Sequence, residues 1–215
     1  MRIALIHAVT VAMAPVHDAF ARLWPEAEHV DILDTSLSSD RARDGELTPA
    51  MMARFQTLAS YAEEIGADGI LFTCSAFGDA IAAAAERARV PVLKPNEAMF
   101  EAALNAGRRL GMLATFAPAA ASMEAEFHEL TAARGNSATL QIVCVPQAMQ
   151  ALQAGNPAEH DRLVAAAATG LADFEAVLLA HFSTSRAADA VRPKLRCPLL
   201  TAPDSAVTKL QRLVA

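Results

Sequence analysis

Two side chains that can move protons end two apolar runs of this sequence. Cys74 follows Gly69-Ile70-Leu71-Phe72-Thr73 and precedes Ser75-Ala76-Phe77-Gly78, a small-residue turn that opens an alanine-rich helix. A buried strand delivers such a cysteine to the carboxyl edge of a sheet, and the helix beyond it points unpaired N–H groups back at the sulfur. Those dipoles favour thiolate over thiol, so the spacing predicts a reactive cysteine. His181 ends a similar run, Ala176-Val177-Leu178-Leu179-Ala180, and Phe182-Ser183-Thr184-Ser185 follows it with hydroxyls where a helix should start. Hydroxyl and N–H donors at such a turn can hold a carboxylate. Imidazole, with an unperturbed pKa of about 6.5, suits proton transfer at neutral pH.

The two runs are related by an internal repeat. Arg2-Ile3-Ala4-Leu5-Ile6-His7 aligns with Arg109-Leu110-Gly111-Met112-Leu113-Ala114 at an offset of 109 − 2 = 107. The same offset sets Phe20 on Phe127, Leu23 on Leu130, and Val90-Pro91-Val92-Leu93 on Cys197-Pro198-Leu199-Leu200. It also sets Gly69–Cys74 on Ala176–His181, so the partner of Cys74 is His181 (181 − 74 = 107). Halves packed about a pseudo-twofold axis with these edges facing would present a thiol and an imidazole to one cleft from opposite sides. That is the layout of two-sided acid–base chemistry.

The elements that must position these groups alternate between strand and helix. This predicts an α/β fold of two pseudo-symmetric halves, with mainly parallel sheets flanked by helices and the active site in the cleft between them. The first half is expected over 1–97, completed by a C-terminal helix within 204–215, and the second over 98–203. The first strand ends near His7, at the same sheet edge as Cys74, which makes His7 a candidate site residue. Pro15 opens a helix carrying Val16, Phe20 and Leu23, and Val30-Asp31-Ile32-Leu33 reads as a second strand. The polar stretch 34–46 reads as a loop long enough to cover the cleft.

Thr48-Pro49 opens a helix running to Gly66, and Asn156-Pro157 opens its counterpart through Leu171. A helix over Ala80–Arg89 leads into the strand Val90–Leu93, and Asn96 can cap the next helix, Glu97 to Ala106. The second half repeats this order: a strand ending at Thr115, a helix turning Met123, Phe127 and Leu130 inward, and a strand from Thr139 to Val145. Cys144 and Cys197 read as core cysteines. His17, His29, His128 and His160 fall on helix surfaces or loops and receive no role.

At 215 residues and 53% hydrophobic content the chain has ample core. A net charge of −6 without a Lys/Arg block argues against a nucleic-acid or anionic-membrane surface. Three cysteines without regular spacing make neither a disulfide framework nor a zinc knuckle and fit a reducing cytoplasm. No run approaches the roughly 18 apolar residues of a membrane-spanning helix. His7, Cys74 and His181 are all of metal-ligating type, but the carboxylates that support such ligands are not evident, so no metal is expected.

Thr73-Cys74-Ser75-Ala76 at a strand-to-helix turn, Leu113-Ala114-Thr115, Pro95-Asn96-Glu97 and the pair at 74 and 181 resemble the aspartate/glutamate racemase superfamily. That group includes aspartate, glutamate and hydantoin racemases, maleate isomerase and arylmalonate decarboxylase, and the similarity runs over nearly the whole chain. The resemblance implies cofactor-independent chemistry at the carbon next to a carboxylate of a small amino acid or related acid. One cysteine removes the α-proton and its symmetry mate returns it from the other face. Cys74 stands at the first cysteine position, and His181 stands where the second would be, which is the main departure from the family pattern.

The resemblance therefore implies that Cys74 and His181 are an opposing acid/base pair. It also implies substrate binding by His7, Thr73, Ser75, Ala76, Asn96, Thr115, Phe116, Phe182, Ser183 and Thr184. The implied partner is a small carboxylate-bearing substrate, and a homodimer is an expected assembly because the family often forms dimers. Three further readings stay open: arylmalonate-type decarboxylation, maleate-type cis–trans isomerisation by Cys74 alone, and a non-catalytic homologue that binds a small carboxylate.

Overall fold

The structure is a computed structural model describing residues 1–214, with the side chains of Pro118 and Ala119 outside the description. The chain forms two compact units, Met1–Ala98 with Ala206–Ala215, and Met99–Ser205. Among the described residues no helix is long and apolar enough to cross a membrane.

The first unit contains β1 (Arg2–His7), α1 (Met13–Leu23), β2 (Glu28–Leu33), α2 (Ser36–Asp44), α3 (Pro49–Glu64), β3 (Gly69–Phe72), α4 (Gly78–Ala85), β4 (Val92–Leu93) and the start of α5 (Glu97–Ala106). Its four strands are all parallel in the order β2-β1-β3-β4. The central strands β1 and β3 are buried almost throughout, as unbroken Ile/Leu/Phe runs must be when helices cover both faces of a parallel sheet. Phe55 of α3 stacks on Phe72 at 5.2 Å and meets Phe77 at 4.9 Å. Each such fully buried side chain stabilises the fold by about 1.5–3 kcal/mol. Thr48 caps α3 by accepting the Met51 N–H at 3.3 Å, with Pro49 in its first turn.

The second unit contains the rest of α5, then β5 (Arg109–Ala114), α6 (Ala117–Ala133), β6 (Thr139–Cys144), α7 (Pro146–Gln153), α8 (Pro157–Ala168), β7 (Ala176–Leu179), α9 (Ala188–Val191), β8 (Leu199–Thr201) and the start of α10 (Ala202–Val214). Its parallel order, β6-β5-β7-β8, repeats that of the first unit. Met123 and Phe127 of α6 are buried, and Phe100 meets Phe127 edge-on at 5.6 Å. The last turns of α10 belong to the first unit, where a Cβ on Gly69 would lie 3.2 Å from Val214 and 3.3 Å from Leu210.

The repeat holds at the level of strand register. Ile6 pairs with Phe72 and Leu113 with Leu179, each 107 residues on from its counterpart. One pair of edge strands, β2 and β6, breaks the constant offset: Leu5 faces Asp31 while Met112 faces Ile142, and 142 − 31 = 111. The second unit inserts these four residues between its first two strands, where α6 has 17 residues against 11 in α1.

Several local expectations change. Residues 34–46 are not a loop but hold α2, which ends at Gly45 in the left-handed region (φ 71°). Only Leu37 of α2 is buried, and Arg54 ties its start down through Asp40 at 2.6 Å and Asp34 at 2.5 Å, so polar contacts hold a helix that has no apolar period. The α4 helix stops at Ala85 rather than Arg89. Cys144 is exposed rather than in the core, because it ends an edge strand. His160 lies buried in α8, with Nδ1 2.7 Å from Asp161.

Candidate functional site

In the first unit the site is built where β1, β2 and β3 reach their carboxyl ends. The Thr73 N–H donates to the Ile6 carbonyl at 3.0 Å, which continues the β3 pairing and fixes the residue before Cys74. His7 is fully buried, with Nδ1 2.9 Å from Thr73 Oγ1 and Nε2 3.0 Å from Asp31 Oδ1. The Asp31 carboxylate only accepts, so His7 Nε2 carries the ring proton and Nδ1 accepts the Thr73 hydroxyl hydrogen. Burial lowers the His7 pKa, outweighing the hydrogen bond and charge of Asp31 that raise it, and this keeps the ring neutral.

His17 Nε2 donates to the same Asp31 oxygen at 2.8 Å, and His17 stacks on His29 at 4.7 Å. Burial acts to raise the Asp31 pKa, but the hydrogen bonds from His17 and His7 prevail and hold it below the usual carboxylate value. Burial, and then the charge of His17, lower the pKa of His29.

Cys74 is half-buried in an extended conformation (φ −118°) at the start of a 3₁₀ turn, Ser75–Phe77. The helix-end expectation of a stabilised thiolate is reversed here. Burial pushes the Cys74 thiol above its ordinary value, and the Ala76 N–H to the sulfur offsets this only in part. At neutral pH the sulfur keeps its proton. Ser75 is half-buried and Ala76 exposed, whereas Asn96 is fully buried just before α5.

In the second unit the Ala180 N–H donates to the Leu113 carbonyl at 2.9 Å, the counterpart of the Thr73–Ile6 bond, so His181 occupies the register position of Cys74. Its backbone differs: His181 is the one non-glycine among the described residues with a positive φ, 68°. Histidine enters this region more readily than most side chains, yet the conformation costs about 1–2 kcal/mol, and such strain gathers at functional positions. The His181 Nε2 is buried without a hydrogen-bond partner among the described residues, and burial pushes its pKa down to about 4. The ring is neutral at pH 7 and keeps a lone pair.

Around His181, Thr115 and Thr184 are buried with their hydroxyls 3.3 Å apart, Ser183 is nearly buried and Phe182 is buried, while Phe116 is 51% exposed. A 3₁₀ turn over Ser183–Ala187 follows, in which the Ser185 hydroxyl donates to the Phe182 carbonyl at 2.6 Å. The structure thus joins His7 to Thr73 beside Cys74 in one unit, and Thr115 to Thr184 near His181 in the other. Sequence reasoning missed Asp31, His17 and His29. The signal was present, since residues 29 and 31 share one face of a strand.

These features define a class: a duplicated parallel α/β protein in which a titratable side chain, Cys74 or His181, follows the third strand of each half two residues on. Residues 8–130 match the model of the Asp/Glu/hydantoin racemase family, and the chain belongs to that family. Solved structures share the fold at low identity. Picrophilus torridus aspartate racemase superposes with a TM-score of 0.76 at 12% identity, covering 99% of this chain and 94% of its own. Allantoin racemase from Klebsiella pneumoniae gives 0.74 at 20% identity (100% and 87% covered), and arylmalonate decarboxylase gives 0.67 at 16% (100% and 93%). No curated protein sequence matches the chain.

Proposed function

We propose that this protein is a cofactor-independent racemase or isomerase acting at the carbon next to a carboxylate of a small amino acid or related acid, with His181 as base and Cys74 as proton donor. The observation that carries the reading is the shared register position of Cys74 and His181, occupied by groups of opposite character: a thiol that keeps its proton and an imidazole that keeps its lone pair. In the proposed step His181 takes the α-proton, and the C–H electron pair passes into the adjacent carboxylate as an enediolate. The Cys74 S–H then delivers its proton to the other face of that carbon, leaving imidazolium and thiolate. The product enantiomer reacts through that charged pair in reverse and restores the neutral one.

Hydroxyls at positions the family resemblance implies for substrate binding, Ser75, Thr115, Ser183 and Thr184, supply donors for the substrate's carboxylate oxygens. Arylmalonate-type decarboxylation is the second reading, favoured by the protonated Cys74 thiol: loss of CO2 leaves a carbanion that Cys74 protonates without a base. A panel of amino acids, hydantoins and substituted malonates tests both. Inversion that needs Cys74 and His181 supports the racemase, and CO2 release that needs Cys74 alone replaces it with the lyase. A protein that turns over no member of the panel fails both readings.

A further inference from the structure

The geometry points to a divalent transition-metal site, of the zinc, cobalt or nickel class, formed by His17, His29 and Asp31 on the edge of the first sheet. One ligand atom from each residue lies within 4.8 Å of the other two. His29 and Asp31 are two residues apart on β2 and project from the same face, and α1 brings His17 over it, with His17 Nε2 2.8 Å from Asp31. Bonds of about 2.0–2.2 Å from such donors call for donor separations of roughly 3.3 Å, and the half-exposed His17 can rotate to close the gap.

Two further observations point to a ligand here. His29 Nδ1 is buried with no hydrogen-bond partner among the described residues, the kind of deficit a bound ion relieves. Strand pairing alone does not call for these side chains either. At the register positions of His29 and Asp31 the second unit carries Leu140 and Ile142, so the first unit has polar residues where its counterpart strand has apolar ones. Two imidazoles and one carboxylate select borderline cations over magnesium or calcium, and the partial exposure of His17 (33%) and Asp31 (27%) gives the ion a path in and room for water. Asp31 also takes the His7 N–H, so an ion held there shares the carboxylate that orders Thr73 beside Cys74.

The test is titration of the full chain with Co2+, followed by its visible d–d absorption, and displacement by Zn2+ in the presence of excess Mg2+. The expected result is one Co2+ per chain, lost in His29→Leu, which copies the second unit, and weakened at least about tenfold in Asp31→Asn, whose amide oxygen still accepts the buried His7 N–H. His17→Gln, on a solvent-facing ring, should weaken binding at least about tenfold, since even outer-shell losses cost that much. Absence of Co2+ uptake by the wild type overturns the proposal, as does uptake that survives all three substitutions.

Discussion

Acidification should unfold this protein partly through His181. Its pKa falls from 6.5 to about 4 on folding, a difference of about 2.5 units, worth roughly 3 kcal/mol at 1.36 kcal/mol per unit. The residue keeps some exposure, and solvent screening brings the figure to about 2–3 kcal/mol. Because the folded pKa is the lower one, the unfolded chain takes up this proton first. The contribution is therefore complete above about pH 6.5 and is lost as the pH falls through 4. Urea unfolding at pH steps from 7 to 4, on the wild type and His181→Gln, isolates it, because every other titrating group cancels in the difference. The wild type should lose about 2–3 kcal/mol more than the variant across this range. A difference between the two proteins that stays constant with pH would refute the assignment of a buried, neutral His181.

Three other outcomes follow from the same structure. Under iodoacetamide, with sites resolved by mass spectrometry, exposed Cys144 should alkylate first, and the Cys74 rate should still be climbing past pH 9, since burial raises its pKa above the ordinary 9.0; a plateau below pH 8 contradicts this. His7→Ala removes the partner of both Asp31 and Thr73 and leaves a cavity, and should cost about 2–4 kcal/mol by urea unfolding, whereas a cost under about 1 kcal/mol would mean the bonds carry little. Gly107→Ala drives a Cβ into Glu175, whose carboxylate accepts the Arg108 and Arg109 N–H groups at 2.8 and 2.7 Å, and should cost about 1–3 kcal/mol in thermal melts.

The duplicated parallel fold was legible because its strands are apolar runs that recur at one offset, and the paired registers of Ile6–Phe72 and Leu113–Leu179 keep that offset. The α2 helix was not legible, since ion pairs to Arg54 rather than an apolar stripe hold it in place. A constant offset also hid the four-residue insertion before β6. At the candidate site, residue types at strand ends can be read from sequence, but burial cannot. The thiolate expected from the helix N-terminus failed because desolvation of Cys74 outweighs one backbone N–H. The network from Asp31 through His7 to Thr73 joins residues 24 and 66 positions apart, which only the sheet register brings into contact.

Proton NMR in D2O at low conversion, following each enantiomer of the panel compounds separately, tests the roles of Cys74 and His181 directly. The inverted product should carry deuterium at the α-carbon while recovered substrate stays largely protiated, and Cys74→Ala and His181→Gln should each abolish inversion. Inversion that persists in either variant would contradict the assignment of Cys74 and His181 as the two proton-transfer groups.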